Sequence, residues 1–208
     1  TLFFFITNSY ATRYYVNINA IGSNNGMSWT NAFTDLQVAL SSAIYNDEIW
    51  VATGTYKATD LNNRDNSFVM KNAVNLYGGF NGTETSISQR NLLENPTNLS
   101  GDIGRLGDNK DNTKKIIKIQ NITTEIIIDG FRIISGYDWS ESGKGAGIYF
   151  YNNSGGKIII NNCIFYNNAS YQSGGALYIR SSNVTFNKCD FLYNTSFNIG
   201  GGAIYCAN

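Results

Sequence analysis

The C-terminal part of the chain carries a repeat that keeps apolar residues in fixed columns. A hexamer of small residues followed by Ile or Leu and then Tyr occurs three times, as GAGIYF (145–150), GGALYI (174–179) and GGAIYC (201–206). Three further runs align at offsets of 32 and 26, namely IIIDGFRI (126–133), IIINNCIF (158–165) and VTFNKCDF (184–191). Apolar and polar residues alternate in these runs, which is typical of strands buried on one face. A unit this short cannot bury its apolar face alone, so the pattern predicts stacked rungs.

Other repeat architectures of similar period fit the sequence poorly. Ankyrin and tetratricopeptide units need two helices each, whereas β-branched residues with a period of 2 dominate these runs, and the regular Leu columns of leucine-rich repeats are absent. A coil of parallel strands stacks equivalent positions about 4.8 Å apart and fits the columns. Asparagine suits the corners of such a coil, because it tolerates left-handed backbone angles and bonds an Asn one rung away. We expect two such ladders, Asn161 with Asn187 and Asn168 with Asn194.

The N-terminal half predicts one helix followed by short strands. The segment FTDLQVALSSAI (33–44) has one apolar stripe, with Thr34 as N-cap, Gln37 as its capping-box partner and Phe33 able to pack on Val38. Residues 81–112 are polar and indicate a loop. The predicted strands are RYYVNINA (13–20), EIWVATGTYKA (48–58), SFVM (67–70), AVNLYGGF (73–80), KIIKI (115–119) and TEIIIDGFRIISG (124–136).

The first residues are typical of an exported protein. TLFFFITNSYA (1–11) resembles the end of a secretory signal peptide cleaved after Ala11, although a buried first strand is an alternative. We predict one domain over 12–208, with an N-terminal cap over about 12–60 and rungs over about 61–208 that end within a repeat, as in a fragment of a longer protein. No later run reaches the roughly 18 apolar residues of a membrane span, so the chain is not expected to cross a membrane itself.

Composition narrows the possible chemistry. The chain has 15 basic and 15 acidic residues and no net charge, which argues against nucleic acid or an anionic membrane as the main partner. It has no histidine, so His-based triads, general bases and zinc sites are excluded. What remains is carboxylate chemistry on sugars, as in a glycoside hydrolase or a polysaccharide lyase. The candidate residues are Asp129, Arg132, Asp138 and Glu141, but the column of Asp129 continues as Asn, so we favour corner and surface roles and predict no catalytic residue.

The loop GDIGRLGDNKDN (101–112) is a candidate calcium site. It gathers Asp102, Asp108 and Asp111 among Gly and Asn, and Ca²⁺ prefers such oxygen-rich loops. The spacing of an EF-hand is absent, and a solvated loop is the alternative that we favour. No other cofactor is predicted.

Tyr149, Tyr178 and Tyr205 follow the apolar column of the hexamers and are expected to point outward as an aromatic ladder. Sugars stack on rings of this kind, so the three residues are candidate ligand-binding positions. The alternative is cross-strand stacking that shields the sheet from water.

The three cysteines are interpreted as structural. Cys163 and Cys189 fall in one column about 4.8 Å apart, within disulfide reach, but we favour buried free thiols. Cys206 falls in the column of Phe150 and Ile179 and is expected in the core.

Two recurring elements carry a resemblance to a known family. The pairing of GGA-Ile/Leu (174–177 and 201–204) with F-x-x-N (165–168 and 191–194) resembles the repeats of chlamydial-type polymorphic outer membrane proteins. The N-terminal half resembles what precedes such repeats in exported bacterial β-helix proteins, through YVNINAIGSNNGMSWTNAFTDLQVAL, EIWVATGTYKAT, LYGGFNGTETSISQRN and NPTNLSGDIG.

The resemblance implies a fold and a set of functions. The fold is all-β, a right-handed parallel β-helix (a solenoid) whose N-terminal end is covered by the helix at 33–44. The resemblance also implies that the protein is secreted or lies at the bacterial outer membrane or cell surface. The function we expect is an adhesin or surface-interaction scaffold that contacts cell-surface glycans or proteins of a host or neighbouring cell; a pectate-lyase-like enzyme and a structural spacer are the alternatives.

Overall fold

A computed structural model describes residues 11–59, 63–198 and 200–207, and within them it contains seventeen strands and one α-helix. The signal-peptide prediction falls almost entirely on residues 1–10, which lie outside the described residues. The helix is α1 (Leu36–Ser42). The strands in chain order are β1 (Arg13–Val16), β2 (Glu48–Ala52), β3 (Gly54–Lys57), β4 (Phe68–Val69), β5 (Asn75–Phe80), β6 (Thr97–Ser100), β7 (Ile117–Gln120), β8 (Glu125–Asp129), β9 (Arg132–Ile134), β10 (Tyr137–Asp138), β11 (Ile148–Asn161), β12 (Ile164–Tyr166), β13 (Ala169–Ser170), β14 (Leu177–Asn187), β15 (Asp190–Leu192), β16 (Thr195–Ser196) and β17 (Ile204–Ala207).

The strands form three parallel sheets that run along the coil. The largest sheet has the order β1-β2-β5-β8-β11-β14-β17, and β4 and β7 join it at β11. The long strand β11 pairs with β7 through its first half and with β8 through its second half, so one strand continues two stacks. The second sheet has the order β3-β6-β9-β12-β15 and the third has the order β10-β13-β16. The predicted all-β parallel β-helix with one helix is confirmed.

The register agrees with the columns predicted from the repeat. Equivalent residues of successive rungs lie opposite one another in the parallel ladders, and the inward ones form one continuous apolar core. The confirmed columns are Ile126/Ile158/Val184, Ile128/Ile160/Phe186, Asp129/Asn161/Asn187, Ile133/Phe165/Phe191, Ile148/Leu177/Ile204 and Phe150/Ile179/Cys206.

The first glycine of each hexamer marks a corner. Gly145, Gly174 and Gly201 have φ of 60°, 61° and 74°, in the left-handed region. A Cβ on Gly174 would lie 2.0 Å from the carbonyl oxygen of Leu177. Glycine is therefore required there by both the backbone angle and the space.

Both predicted asparagine ladders are confirmed. Asn187 donates to Asn161 over 2.8 Å on the surface, and Asn168 donates to Asn194 over 3.0 Å. Asn168 is completely buried; its amide also accepts from the N–H of Gly136 and donates to the carbonyl of Ile133. The Asn of the F-x-x-N element thus satisfies backbone groups inside a corner of the coil.

The predicted helix exists, but its N-terminus was predicted wrongly. The helix begins at Leu36, and its N-cap is Asp35, whose carboxylate accepts from the N–H of Gln37 over 2.6 Å. Thr34 instead donates its N–H to Asn24 in the preceding loop. With Asp35 as N-cap, the positions of a hydrophobic staple are Thr34 and Ala39 and not Phe33 and Val38, and Val38 is 42% exposed. The buried face, formed by Leu36, Ala39 and Leu40, packs on the first strands of the largest sheet.

The polar stretch 81–112, predicted as a loop, contains the strand β6. β6 pairs with β3 on one side and β9 on the other, and Thr97, Leu99 and Ser100 are buried in it. Thr97 meets the burial with its hydroxyl, which accepts from the N–H of Gly79 over 2.9 Å. Because Thr97 and Ser100 are polar although they are buried, β6 lacks the alternation of apolar and polar residues that predicts a strand.

The first prediction concerns the buried ladder. Asn168→Ala leaves the N–H of Gly136 buried without its partner and removes the side-chain bonds to the carbonyl of Ile133 and to Asn194, and a buried group left unpaired costs about 1–3 kcal/mol. We expect the free energy of unfolding, from chemical denaturation, to fall by about 2–5 kcal/mol. Asn187→Ala is the matched control, because it removes an exposed ladder bond and is expected to cost less than about 1 kcal/mol. Equal losses in the two variants would contradict a corner role for Asn168.

Candidate functional site

The predicted tyrosine ladder is present. Tyr149 lies opposite Tyr178 in the ladder of β11 and β14, and Tyr178 lies opposite Tyr205. The ring centroids are 5.4 Å apart for the first pair and 5.7 Å for the second, with interplanar angles of 7° and 8°. Three nearly parallel rings therefore stack along the outer face of the largest sheet.

Much of this ladder is covered. Tyr178 is only 4% exposed, between its two neighbours and beneath the ammonium of Lys144, which lies 5.1 Å from the ring centroid. The ammonium of Lys115 lies 5.5 Å from the ring of Tyr149. Burial raises the pKa of the Tyr149 phenol, and the neighbouring Tyr178 and Tyr151 raise it further, so this ring stays uncharged at neutral pH. The middle ring offers a ligand little free surface.

A second group of aromatic rings lies outside the third sheet. Trp139, Tyr171 and Phe197 each follow one of its strands and fall in one column, directly after the paired residues Asp138, Ser170 and Ser196. Trp139 stacks on Tyr137 at 5.3 Å and 7°, and meets Tyr171 and Phe197 at 5.8 and 5.6 Å. We call Tyr137, Trp139, Tyr171 and Phe197 the aromatic cluster.

The aromatic cluster is more open than the ladder. Trp139 is 40% exposed and Phe197 is 66% exposed. The next residue in each rung is polar and at least partly exposed, so Ser140, Gln172 and Asn198 follow the aromatic column as a column of hydrogen-bonding side chains. The surface combines ring faces with adjacent donors and acceptors.

Sequence reasoning missed this cluster, although a signal for it exists. The offsets of 32 and 26 that align Ile133, Phe165 and Phe191 also align Trp139, Tyr171 and Phe197, six residues further on. The strands that carry the cluster are two residues long, too short to show alternation. Extending the alignment through the corner would have found the cluster.

Two of the carboxylates considered for sugar chemistry, Asp129 and Asp138, form separate ion pairs. Asp129 is 3.3 Å from the guanidinium of Arg90. Asp138 is 1% exposed and is 2.5 Å from the ammonium of Lys115. Arg132 shares a column with Asp190, as predicted, with Ile164 between them. Asp129 and Asp138 are thus each paired with a different cation.

The three aspartates of the loop 101–112 have different partners. Asp102 accepts from the N–H of Gly107, Asp111 accepts from the N–H of Arg105, and Asp108 caps the short 3-10 turn by accepting from the N–H of Lys110. Within the described part of the chain, no three His, Cys, Asp or Glu side chains are grouped so that they could hold a metal.

The three cysteines are free, in agreement with the interpretation of Cys163 and Cys189 as unbonded. Cys163 is fully buried, and burial raises its pKa well above the ordinary value of a thiol; burial also raises the pKa of Cys189. Cys206 was predicted in the core but is exposed. It does pair with Ile179 in register, but β17 is the last strand of its sheet among the described residues, so no described strand covers it.

The fold and its stacked outward columns define a class of protein, the parallel β-helix assembled from repeats. Residues 162–180 and 188–207 match the Chlamydia polymorphic membrane protein (Chlamydia_PMP) repeat, which confirms the resemblance of the F-x-x-N and GGA-Ile/Leu elements. The searches of curated proteins and of solved structures gave no match. The two matched segments contain Tyr171, Tyr178, Phe197 and Tyr205, so both aromatic surfaces lie partly on them.

Repeats of this kind indicate a protein of the bacterial surface or outer membrane. Among the described residues, no helix has the length and apolar character that crossing a membrane requires.

The second prediction concerns thiol reactivity. Because the thiolate is the reactive form, Cys206 should react with Ellman's reagent first, Cys189 more slowly, and Cys163 only after unfolding. Single Cys→Ser variants assign each phase. In denaturant without reductant we expect three thiols per chain. One thiol per chain would reveal a disulfide and contradict the free pair.

Proposed function

We propose that this chain is the scaffold of a bacterial cell-surface adhesin, and that the aromatic cluster is its contact surface for carbohydrate. The observation that carries the proposal is the exposed column of Trp139, Tyr171 and Phe197 beside a polar column on stacked rungs. The match to polymorphic membrane protein repeats supports a location at the cell surface, where glycans are available.

The chemistry of the cluster suits a sugar chain. A pyranose ring has an apolar face that packs on an aromatic ring and hydroxyl groups around its edge that need hydrogen-bond partners. Trp139 and Phe197 supply exposed ring faces, and Gln172 and Asn198 supply donors and acceptors next to them. Since successive rungs repeat the arrangement, an extended polysaccharide contacts several rungs at once.

The aromatic cluster is a better contact surface than the tyrosine ladder. In the ladder, Tyr178 is covered by its neighbours and by Lys144, whereas Trp139 presents 40% of its surface. We therefore assign Tyr149, Tyr178 and Tyr205 mainly to shielding the sheet.

The third prediction concerns binding of carbohydrate to the aromatic cluster. The chain is first screened on an array of bacterial and host-cell glycans, and its affinity for the polysaccharide that binds best is then measured in solution. Trp139→Ala removes the central ring, and we expect it to weaken binding about tenfold or more, the usual effect of an aromatic hot spot. Phe197→Ala is expected to act in the same direction. Binding should also change the tryptophan fluorescence of the chain, because Trp139 is the exposed tryptophan. The other two are shielded: Trp50 is fully buried, and Trp29 is partly buried and donates its indole N–H to the carbonyl of Glu84.

Tyr193→Asn is the matched control. Tyr193 is 77% exposed outside the cluster, and its φ of 55° is one that Asn tolerates. If this variant loses as much affinity as Trp139→Ala, the binding surface is elsewhere. If the bound polysaccharide is cleaved, the protein is an enzyme and not only an adhesin. If the chain binds neither glycans nor cells, the spacer function is favoured.

A further inference from the structure

The loop 101–112 holds three buried side-chain oxygens that have no hydrogen-bond partner. They are Oδ1 of Asp102, Oδ1 of Asp111 and Oδ1 of Asn112. Only six side-chain polar atoms of the described residues are in this state, so half of them lie in one short loop. An unpaired buried polar atom costs about 1–3 kcal/mol, and a charged one costs more. Such a concentration calls for a partner that supplies positive charge.

The two carboxylates are each fixed by one oxygen. Oδ2 of Asp102 accepts from the N–H of Gly107 over 3.0 Å, and Oδ2 of Asp111 accepts from the N–H of Arg105 over 2.7 Å. These bonds hold both side chains against the loop and leave the second oxygen of each without a partner. Asp108 differs, because it caps the 3-10 turn and has no buried unpaired oxygen.

The ends of the loop meet, and Asn112 lies at that point. Thr113 donates its N–H to the carbonyl of Gly101 over 2.7 Å, which closes the loop. Asn112 is only 2% exposed, and its Nδ2 donates to the carbonyl of Ser135 over 2.8 Å. That carbonyl oxygen lies 2.4 Å from the position of a Cβ on Gly101. The amide of Asn112 is therefore next to the backbone that leads into Asp102.

We propose that this loop binds one calcium ion through Asp102, Asp111 and Asn112, with backbone carbonyls and water completing the coordination. The donors are all oxygen, they include a neutral amide, and they sit in an irregular loop, as Ca²⁺ prefers; Mg²⁺ demands stricter octahedral geometry and keeps more water. The two carboxylates match the charge of the ion. The proposal goes beyond adhesion and does not depend on the aromatic cluster.

Nearby positive charge limits the affinity. The guanidinium of Arg64 donates to the carbonyls of Asn112 and Tyr137, and Arg105 and Lys110 belong to the loop itself. We therefore expect weak binding, with a Kd on the order of 10⁻⁴ to 10⁻³ M, the range of extracellular calcium modules.

The fourth prediction uses the full chain after treatment with EDTA. About 10 mM CaCl₂ should raise its Tm by roughly 3–10 °C, whereas the same concentration of MgCl₂ should raise it far less. Titration calorimetry with CaCl₂ should give one site. Asp102→Asn and Asp111→Asn should each weaken calcium binding about tenfold or more, because affinity follows the number of charged ligands.

Asp108→Asn is the matched control, because Asn and Asp cap helices equally well and the change removes the same charge from the same loop. It should leave the calcium Kd within about twofold of the unmodified chain. If all three substitutions weaken calcium binding equally, the ion is attracted only by the overall charge of the loop, and the proposed site is wrong. An unchanged Tm and no heat of binding in the unmodified chain would also overturn the site. Circular dichroism without calcium verifies that each variant is folded. If Asp102→Asn does not fold, Asp111→Asn alone tests the site.

Discussion

Parallel pairing in register is the constraint on which the rest of this structure depends. Each residue stacks on its equivalent in the next rung, so the rings of Phe165 and Phe191 are 4.7 Å apart and only 3° from parallel. A slip of one residue would turn Tyr149 inward and Ile148 outward, because alternate side chains of a strand point to opposite faces. Burial of the apolar columns fixes the register, and the register in turn determines which residues form the surface.

The same stacking arranges side chains that contribute nothing to the core. Tyr149 meets Tyr178, and Trp139 meets Tyr171, for the same reason that Ile148 meets Leu177: equivalent positions repeat along the coil. In a scaffold of this kind, an outward position that recurs in each rung forms a column of side chains, because the buried positions already hold the rungs in register. An outward surface can thus be extended by adding rungs.

The sequence was most informative where burial was regular. The apolar columns and both asparagine ladders were predictable because alternation and offsets determine them, and the tyrosine ladder followed from the hexamer. β6 was missed because Thr97 and Ser100 are buried as polar residues, which hides the alternation. The aromatic cluster was missed because its strands are two residues long. The burial of Cys206 was predicted wrongly because a column position shows the direction of a side chain, and exposure also depends on what lies above it.

Buried polar side chains divide into two kinds, and the contrast bears on function. In the rungs the buried asparagines are satisfied by the backbone: Asn153, fully buried, accepts from the N–H of Ile122 and donates to the carbonyl of Ile119. In the loop 101–112 they retain unpaired oxygens. That loop is joined to the aromatic cluster, because Tyr137 donates its N–H to the carbonyl of Thr113, directly after the loop. An ion bound in the loop, as we propose, would therefore also restrain Tyr137, the ring on which Trp139 stacks.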